Sequence, residues 1–183
     1  MTRLPNMLDR DEIDPELVDA YDRVASFRNG AISGPYGILL HSPELAERAA
    51  ALGQFVRWNS ELTPAQRETA IITAARNWDA ELMWGSHVRL AREAGVRAEV
   101  IAAVGTRAAL DTLEESEAAI VRYVRELLEG NRASDATFEA LRSIVGDRGT
   151  VDLTGLVGYY ATVALTLNAF EVPPPAGSDP LPE

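Results

Sequence analysis

Cysteine is absent from the 183 residues. That single absence excludes disulfides, thiolate metal ligands and cysteine nucleophiles together. Histidine is nearly absent: His41 and His87 are the only two, so a zinc site is poorly supported, although one histidine joined by several carboxylates stays open. No glycine-rich phosphate loop opens from a strand, and no flavin or nicotinamide fingerprint is present. Residues 1–11 lack the apolar stretch of a signal peptide, and no uninterrupted apolar run approaches a membrane span. A cytoplasmic location is expected. Positive charge is scarce, with 17 basic against 28 acidic residues and a net charge of -11. An acidic surface repels nucleic-acid phosphates and anionic membranes, so neither is an expected partner.

What is present is helix. The hydrophobic content of 46% and charged content of 25% are ordinary for one globular domain of this length. Asp14-Pro15-Glu16 reads as an N-cap, a proline in the first turn and an acid at the dipole's positive end, and that helix ends near Asn29-Gly30. A glycine-rich loop follows over 30–41. Ser42-Pro43-Glu44 opens a helix to about Trp58. Thr63-Pro64-Ala65-Gln66 carries a capping box for a helix to about Trp78. Further helices fit 79–95, 98–104, 113–129, 134–145 and 152–170. No segment alternates like a strand. The expected fold is all-α, a single-domain bundle of seven or eight helices. Residues 1–13 read as an N-terminal extension, 14–172 as the helical domain and 173–183 as a loose, proline-rich tail.

Two helices carry titratable residues on apolar faces. Glu68, Ile71, Ile72 and Ala75 fall on one stripe. A carboxylate there is partly desolvated, unless it lies at the stripe's edge and reaches water. On the next helix His87 sits amid Ala80, Met83, Trp84, Leu90, Ala91 and Ala94. A lone histidine there is either a satisfied core residue or an acid/base near neutrality. Two adjacent helices bringing one such group each to a shared interface make a candidate general acid/base pair. Ser86 adjoins His87 in sequence, but neighbouring helical positions diverge.

Arg67-Glu68-Thr69, Trp84-Gly85-Ser86-His87 and Ala91-Arg92-Glu93-Ala94-Gly95-Val96 resemble the core of the carboxymuconolactone decarboxylase / alkylhydroperoxidase D superfamily. That family often reads R-E at the start of one helix and W-x-x-H-x-x-x-A-x-x-x-G-V along the next. The peroxidase branch spaces E-x11-C-x2-C-x3-H, which lands here on Glu68, Ala80, Met83 and His87. The outer positions match and both cysteine positions do not. Gly34-Pro35-Tyr36, and Leu156-Val157-Gly158-Tyr159-Tyr160 continuing through Leu167 to Pro173, are similar to the flanking parts of longer members. Decarboxylase-like members often carry a glutamate where Met83 stands.

The resemblance implies an all-α fold, trimers or hexamers, a pocket between helices, and Glu68 and His87 as the catalytic pair. The expected function is a cofactor-free, decarboxylase-like lyase acting on a small carboxylated lactone or related catabolite. His87 would deliver the proton and Glu68 would orient it. Arg57 and Arg76 are candidates to hold a substrate carboxylate, unless they are solvated surface arginines. Trp84, Met83, Ala80 and Tyr36 would line the pocket. Without a thiolate, thiol peroxidase activity is excluded on chemical grounds. A non-catalytic, oligomeric small-molecule binder on the same fold is the alternative. The stripe Val157, Tyr160, Ala161, Ala164 and Leu165 on the last helix is the expected self-association face.

Overall fold

A computed structural model describes residues 2–183. Its helices are α1 (Val18–Ser26), α2 (Tyr36–Leu39), α3 (Pro43–Gln54), α4 (Pro64–Asn77), α5 (Glu81–Glu93), α6 (Ala98–Gly105), α7 (Glu115–Gly130) and α8 (Asp135–Ala169), and no strand occurs among the described residues. The fold is all-α. The capping box at Thr63 and Gln66 forms as its sequence predicts, each side chain bonded to the other's backbone N–H. Gly146 interrupts α8 with φ 72° and ψ 178°. Glycine reaches positive φ without steric cost, so the expected break after Val145 is real. Helical geometry resumes at once, however, well before Asp152.

Two further differences come from the N-terminal half. The loop expected over 30–41 contains the short helix α2. α3 runs directly into a π-helical turn, Phe55–Asn59. Widening the helix there re-aims its side chains: Val56 is buried, while Phe55 and Trp58 face outward.

α4 is the axis of the bundle and packs against α5, α6, α7 and α8. Every residue from Glu68 to Arg76 on it is buried, so its apolar stripe is not one face of an amphipathic helix. A helix buried all round must satisfy its polar groups internally. Thr73 Oγ1 donates to the Thr69 carbonyl at 2.7 Å. Arg76 Nε donates to the Gly105 carbonyl at 2.6 Å, and its guanidinium pairs with Asp79. A second, smaller core joins α1, α2 and α3 through Tyr21, Val24, Tyr36, Leu40 and Ala50.

Both terminal segments make contacts with the bundle among the described residues. Arg3 pairs with Glu171, Met7 N–H donates to the Gly37 carbonyl, and His41 Nε2 bonds the Pro5 carbonyl at 2.9 Å. The proline-rich tail lies along α5. Asp179 accepts two bonds from Arg92, at 2.7 and 2.9 Å, and the Trp84 indole donates to the Pro180 carbonyl. Among the described residues, α8 alone has the length and composition to cross a membrane, but 61% of its most apolar stretch is buried in the bundle, which is the pattern of a core helix.

Candidate functional site

A cavity of about 540 Å³ lies at the seam between the two cores. The smaller core contributes Arg28, Ile32 and Tyr36, and the π-helical turn adds Arg57. The larger core contributes Met83, Ser86, His87, Tyr160 and Val163, and both chain ends close over it with Asn6, Leu8 and Pro173 to Pro175. The lining holds no Asp or Glu.

His87 Nδ1 and Glu68 Oε2 are 2.7 Å apart, with both residues buried. Glu68 stands behind His87 and is not part of the cavity wall. Burial pushes the Glu68 carboxyl up, but its bond to His87 and the nearby Arg57 and Arg67 charges outweigh that and hold it below the usual glutamate range; Arg67 Nε is 3.5 Å from its second oxygen. Burial is also the largest influence on His87, and with the same two arginines it outweighs the Glu68 carboxylate, leaving the imidazole less basic than usual. An ionised carboxylate can only accept, so Nδ1 carries the hydrogen, and the neutral ring has a lone pair on Nε2. That nitrogen has no protein hydrogen bond among the described residues. The Glu68 carboxylate by itself raises the histidine pKa, but desolvation and two guanidinium charges outweigh it.

A series of aromatic residues continues from His87 along the wall. The Tyr160 ring meets the imidazole edge-on at 5.1 Å, and Tyr159 meets Tyr160 in the same way at 5.0 Å. The Tyr159 and Tyr36 hydroxyls are 2.5 Å apart, and the Arg28 guanidinium lies 4.1 Å above the Tyr36 ring. Burial raises both Tyr159 and Tyr160 well above the ordinary phenol, so both remain O–H donors. Tyr160 makes no hydrogen bond among the described residues. Its hydroxyl can donate to a substrate oxygen.

Of the residues expected from sequence, the structure brings His87, Met83, Tyr36 and Arg57 to this cavity, with Glu68 bonded behind His87. It separates three others. Ala80 is fully buried outside the lining. Trp84 faces the opposite side of α5, against the tail. Arg76 is occupied by Gly105 and Asp79. Sequence reasoning missed Arg28, Tyr159 and the two chain ends as parts of the wall. Helical periodicity placed Tyr160 on an apolar stripe expected to serve self-association, but it cannot show that the stripe opens on a cavity. Among the described residues no group of three His, Asp or Glu side chains is placed to hold a metal ion.

A sequence model described as the carboxymuconolactone decarboxylase family matches residues 43–126. This stretch contains Glu68, His87 and the helices that carry them. Over this central stretch the chain is similar to the carboxymuconolactone decarboxylase family. Solved structures share its fold. One is a protein of unknown function from Agrobacterium tumefaciens, proposed to be the antioxidant defence protein AhpD: 22% identical, TM-score 0.68, covering 76% of this chain and 96% of that one. A variant of the debrominase Bmp8 in complex with 2,3,4-tribromopyrrole is 14% identical, with a TM-score of 0.73, covering 96% and 94%. An uncharacterized peroxidase-related protein from Silicibacter sp. TM1040 is 16% identical, with a TM-score of 0.73, covering 96% and 95%. No curated protein matches the sequence. The chain has no cysteine, so paired-thiol chemistry is not open to it.

Proposed function

We propose that the protein is a cofactor-free acid–base enzyme of the lyase or decarboxylase type, acting on a small carboxylated lactone or related unsaturated compound. The observation that carries the proposal is the buried Glu68–His87 pair, bonded through Nδ1 at 2.7 Å, with Nε2 free at a cavity wall. His87 is the proton carrier and Glu68 is a positioning residue. Glu68 fixes the ring tautomer and supports the imidazolium once it forms.

In a decarboxylation, the bond from carbon to the carboxylate breaks. Its electron pair passes through the conjugated double bond to the lactone carbonyl oxygen, and CO2 leaves. Tyr160 O–H stabilises that oxygen by donating to it. The dienolate then takes a proton at carbon from His87. Because His87 rests neutral, it must first collect that proton at Nε2 from solvent, so turnover falls as pH rises above its depressed pKa. Where His87 instead removes a substrate C–H proton first, turnover falls as pH drops through the same pKa. The pH dependence of kcat/KM therefore tests the order of steps. Measured on carboxylated lactones, an unchanged rate for folded His87→Gln would sink the proposal. Stable ligand binding with no turnover would leave the chain a non-catalytic binder.

The proposal includes self-association as a trimer or hexamer and a cytoplasmic location, with no nucleic-acid or membrane partner. The face first expected to self-associate is largely internal, since Val157, Tyr160 and Ala164 are buried. What supports assembly is the opposite face of α8, where Val151, Gly155, Gly158, Thr162 and Leu165 are exposed and uncharged. Light scattering that finds only monomer at micromolar concentration removes this part.

A further inference from the structure

The chain contains no lysine, so its 17 cationic side chains are all arginines. Among the described residues thirteen are ion-paired with Asp or Glu. The four that are not are Arg28, Arg57, Arg125 and Arg132. Arg125 donates to the Ala103 and Ala108 carbonyls, and Arg132 is exposed on the surface. The remaining two, Arg28 and Arg57, line the same cavity.

In a chain of net charge -11, unpaired arginines are not short of surface acids. Neither of these two forms an ion pair, because the cavity wall contains no acid; Glu68, whose carboxylate feels the Arg57 charge, lies behind that wall and is bonded to His87. The Nε atoms of both arginines are buried without a partner. Arg57 makes no hydrogen bond among the described residues; its guanidinium lies 4.9 Å over the Trp58 ring. Arg28 has one long bond, 3.4 Å, to Ser33 Oγ, and its guanidinium lies over Tyr36, whose hydroxyl is tied to Tyr159. Both guanidiniums are thus carried on aromatic rings with their donors uncommitted. A planar fork of N–H donors matches a carboxylate in shape as well as charge.

We infer that Arg28 and Arg57 form the receptor for the carboxylate of a small planar organic acid, whose apolar body lies in the cavity among Tyr36, Met83 and Tyr160, beside His87. The inference deepens the acid–base reading of the same cavity by naming what holds the substrate there. It assigns Arg28, which no sequence motif singled out, and sets Arg76 aside.

Titration calorimetry with the full chain tests it, using benzoate, neutral benzamide and inorganic phosphate as probes. Benzoate is expected to bind at least about tenfold more tightly than benzamide, the ratio that one charge-assisted bond supplies. Arg57→Gln and Arg28→Gln should each remove that preference and leave benzamide binding unchanged. Arg132→Gln, which alters an exposed unpaired arginine elsewhere, should change nothing. Because Arg28 also packs on Tyr36, melting is measured for each variant. Arg28→Lys supplies a folded comparison that keeps the charge and loses the fork, with affinity for benzoate expected between wild type and Arg28→Gln. Equal binding of benzoate and benzamide overturns the receptor. So does competition by phosphate as strong as that of benzoate, or undiminished benzoate affinity in the folded glutamine variants. His87→Gln separates this inference from the catalytic one, since it should retain benzoate binding while losing turnover. Turnover surviving in that variant would end the acid–base reading alone, and a benzoate preference that persists in the folded arginine variants would end the receptor alone.

Discussion

Glu68 and Arg76 are two turns apart on α4, and both are buried charges in the middle of the bundle. Arg76 spends its donors on the Gly105 carbonyl and on Asp79 and so holds α4 to α6. Glu68 spends one oxygen on His87, a residue whose other nitrogen fronts the cavity. The difference teaches that burial of a charge does not by itself mark a functional site. Buried charges are costly and need partners wherever they occur. What marks the site is a chain of partners that ends at an unused donor or acceptor in a cavity, and Arg76 has no such ending.

Four measurements break or sharpen this comparison. The largest effect belongs to the pair: Glu68→Gln and His87→Gln should each lower kcat by roughly 10²- to 10⁴-fold, the usual contribution of general acid–base catalysis. The double variant should be little worse than either single one, because coupled groups are non-additive. Additive losses, or losses that track melting, would return the pair to a structural role. Arg76→Met should do the opposite. It leaves the Gly105 carbonyl unpaired and should cost about 2 kcal/mol of stability in denaturant unfolding, while the folded fraction keeps its kcat. A specific fall in kcat there would erase the contrast drawn above.

Tyr160→Phe removes only a hydroxyl that has no partner among the described residues. It should lower kcat by about tenfold, the equivalent of one hydrogen bond to the reacting oxygen, without lowering the melting temperature. The smallest effect is in pH. The folded-state pKa of His87 lies below its ordinary 6.5, mainly through burial, so its contribution to stability is complete above pH 6.5 and is lost as pH falls from there through the folded value. Glu68 is also held low, against burial, by His87 and the neighbouring arginines. Its contribution is complete above pH 4.5 and is lost as pH falls further. Melting against pH should therefore decline on the acid side in two stages, and His87→Gln should remove the upper one. In NMR titration, Glu68→Gln should lower the His87 pKa further, since it removes the carboxylate that favours the charged ring. An unchanged titration would mean the two groups do not communicate.

Much of the fold was readable locally. Proline and acid in the first turns, the Thr63–Gln66 capping box and the 3.6-residue period all act over one or two turns of chain; the capping box appears where its residues stand, whereas Asp14-Pro15-Glu16 opens a 3-10 turn and α1 begins only at Val18. Gly146 ended a helix because its positive φ suits glycine. The candidate pair was readable too, as two polar interruptions on apolar faces of successive helices. The short helix α2 was not, since Gly34 and Gly37 read as turn residues and its four residues offer no period. Nor was the tail's docking, because Arg92, Trp84 and residues 179–180 are joined only by the fold.

The sequence by itself determined that this chain is helical, that it has no thiol chemistry, and that Glu68 and His87 are candidates to meet between consecutive helices. Only the tertiary structure decided their protonation states, because pKa depends on burial and on charges from other elements, here Arg57 and Arg67. It also placed Arg57, and not Arg76, on the cavity wall. Periodicity gives a side chain's direction around its own helix, but not what packs opposite. For Arg76 that was a backbone carbonyl 29 residues away. For Arg57 it was the cavity that the two cores and both chain ends enclose.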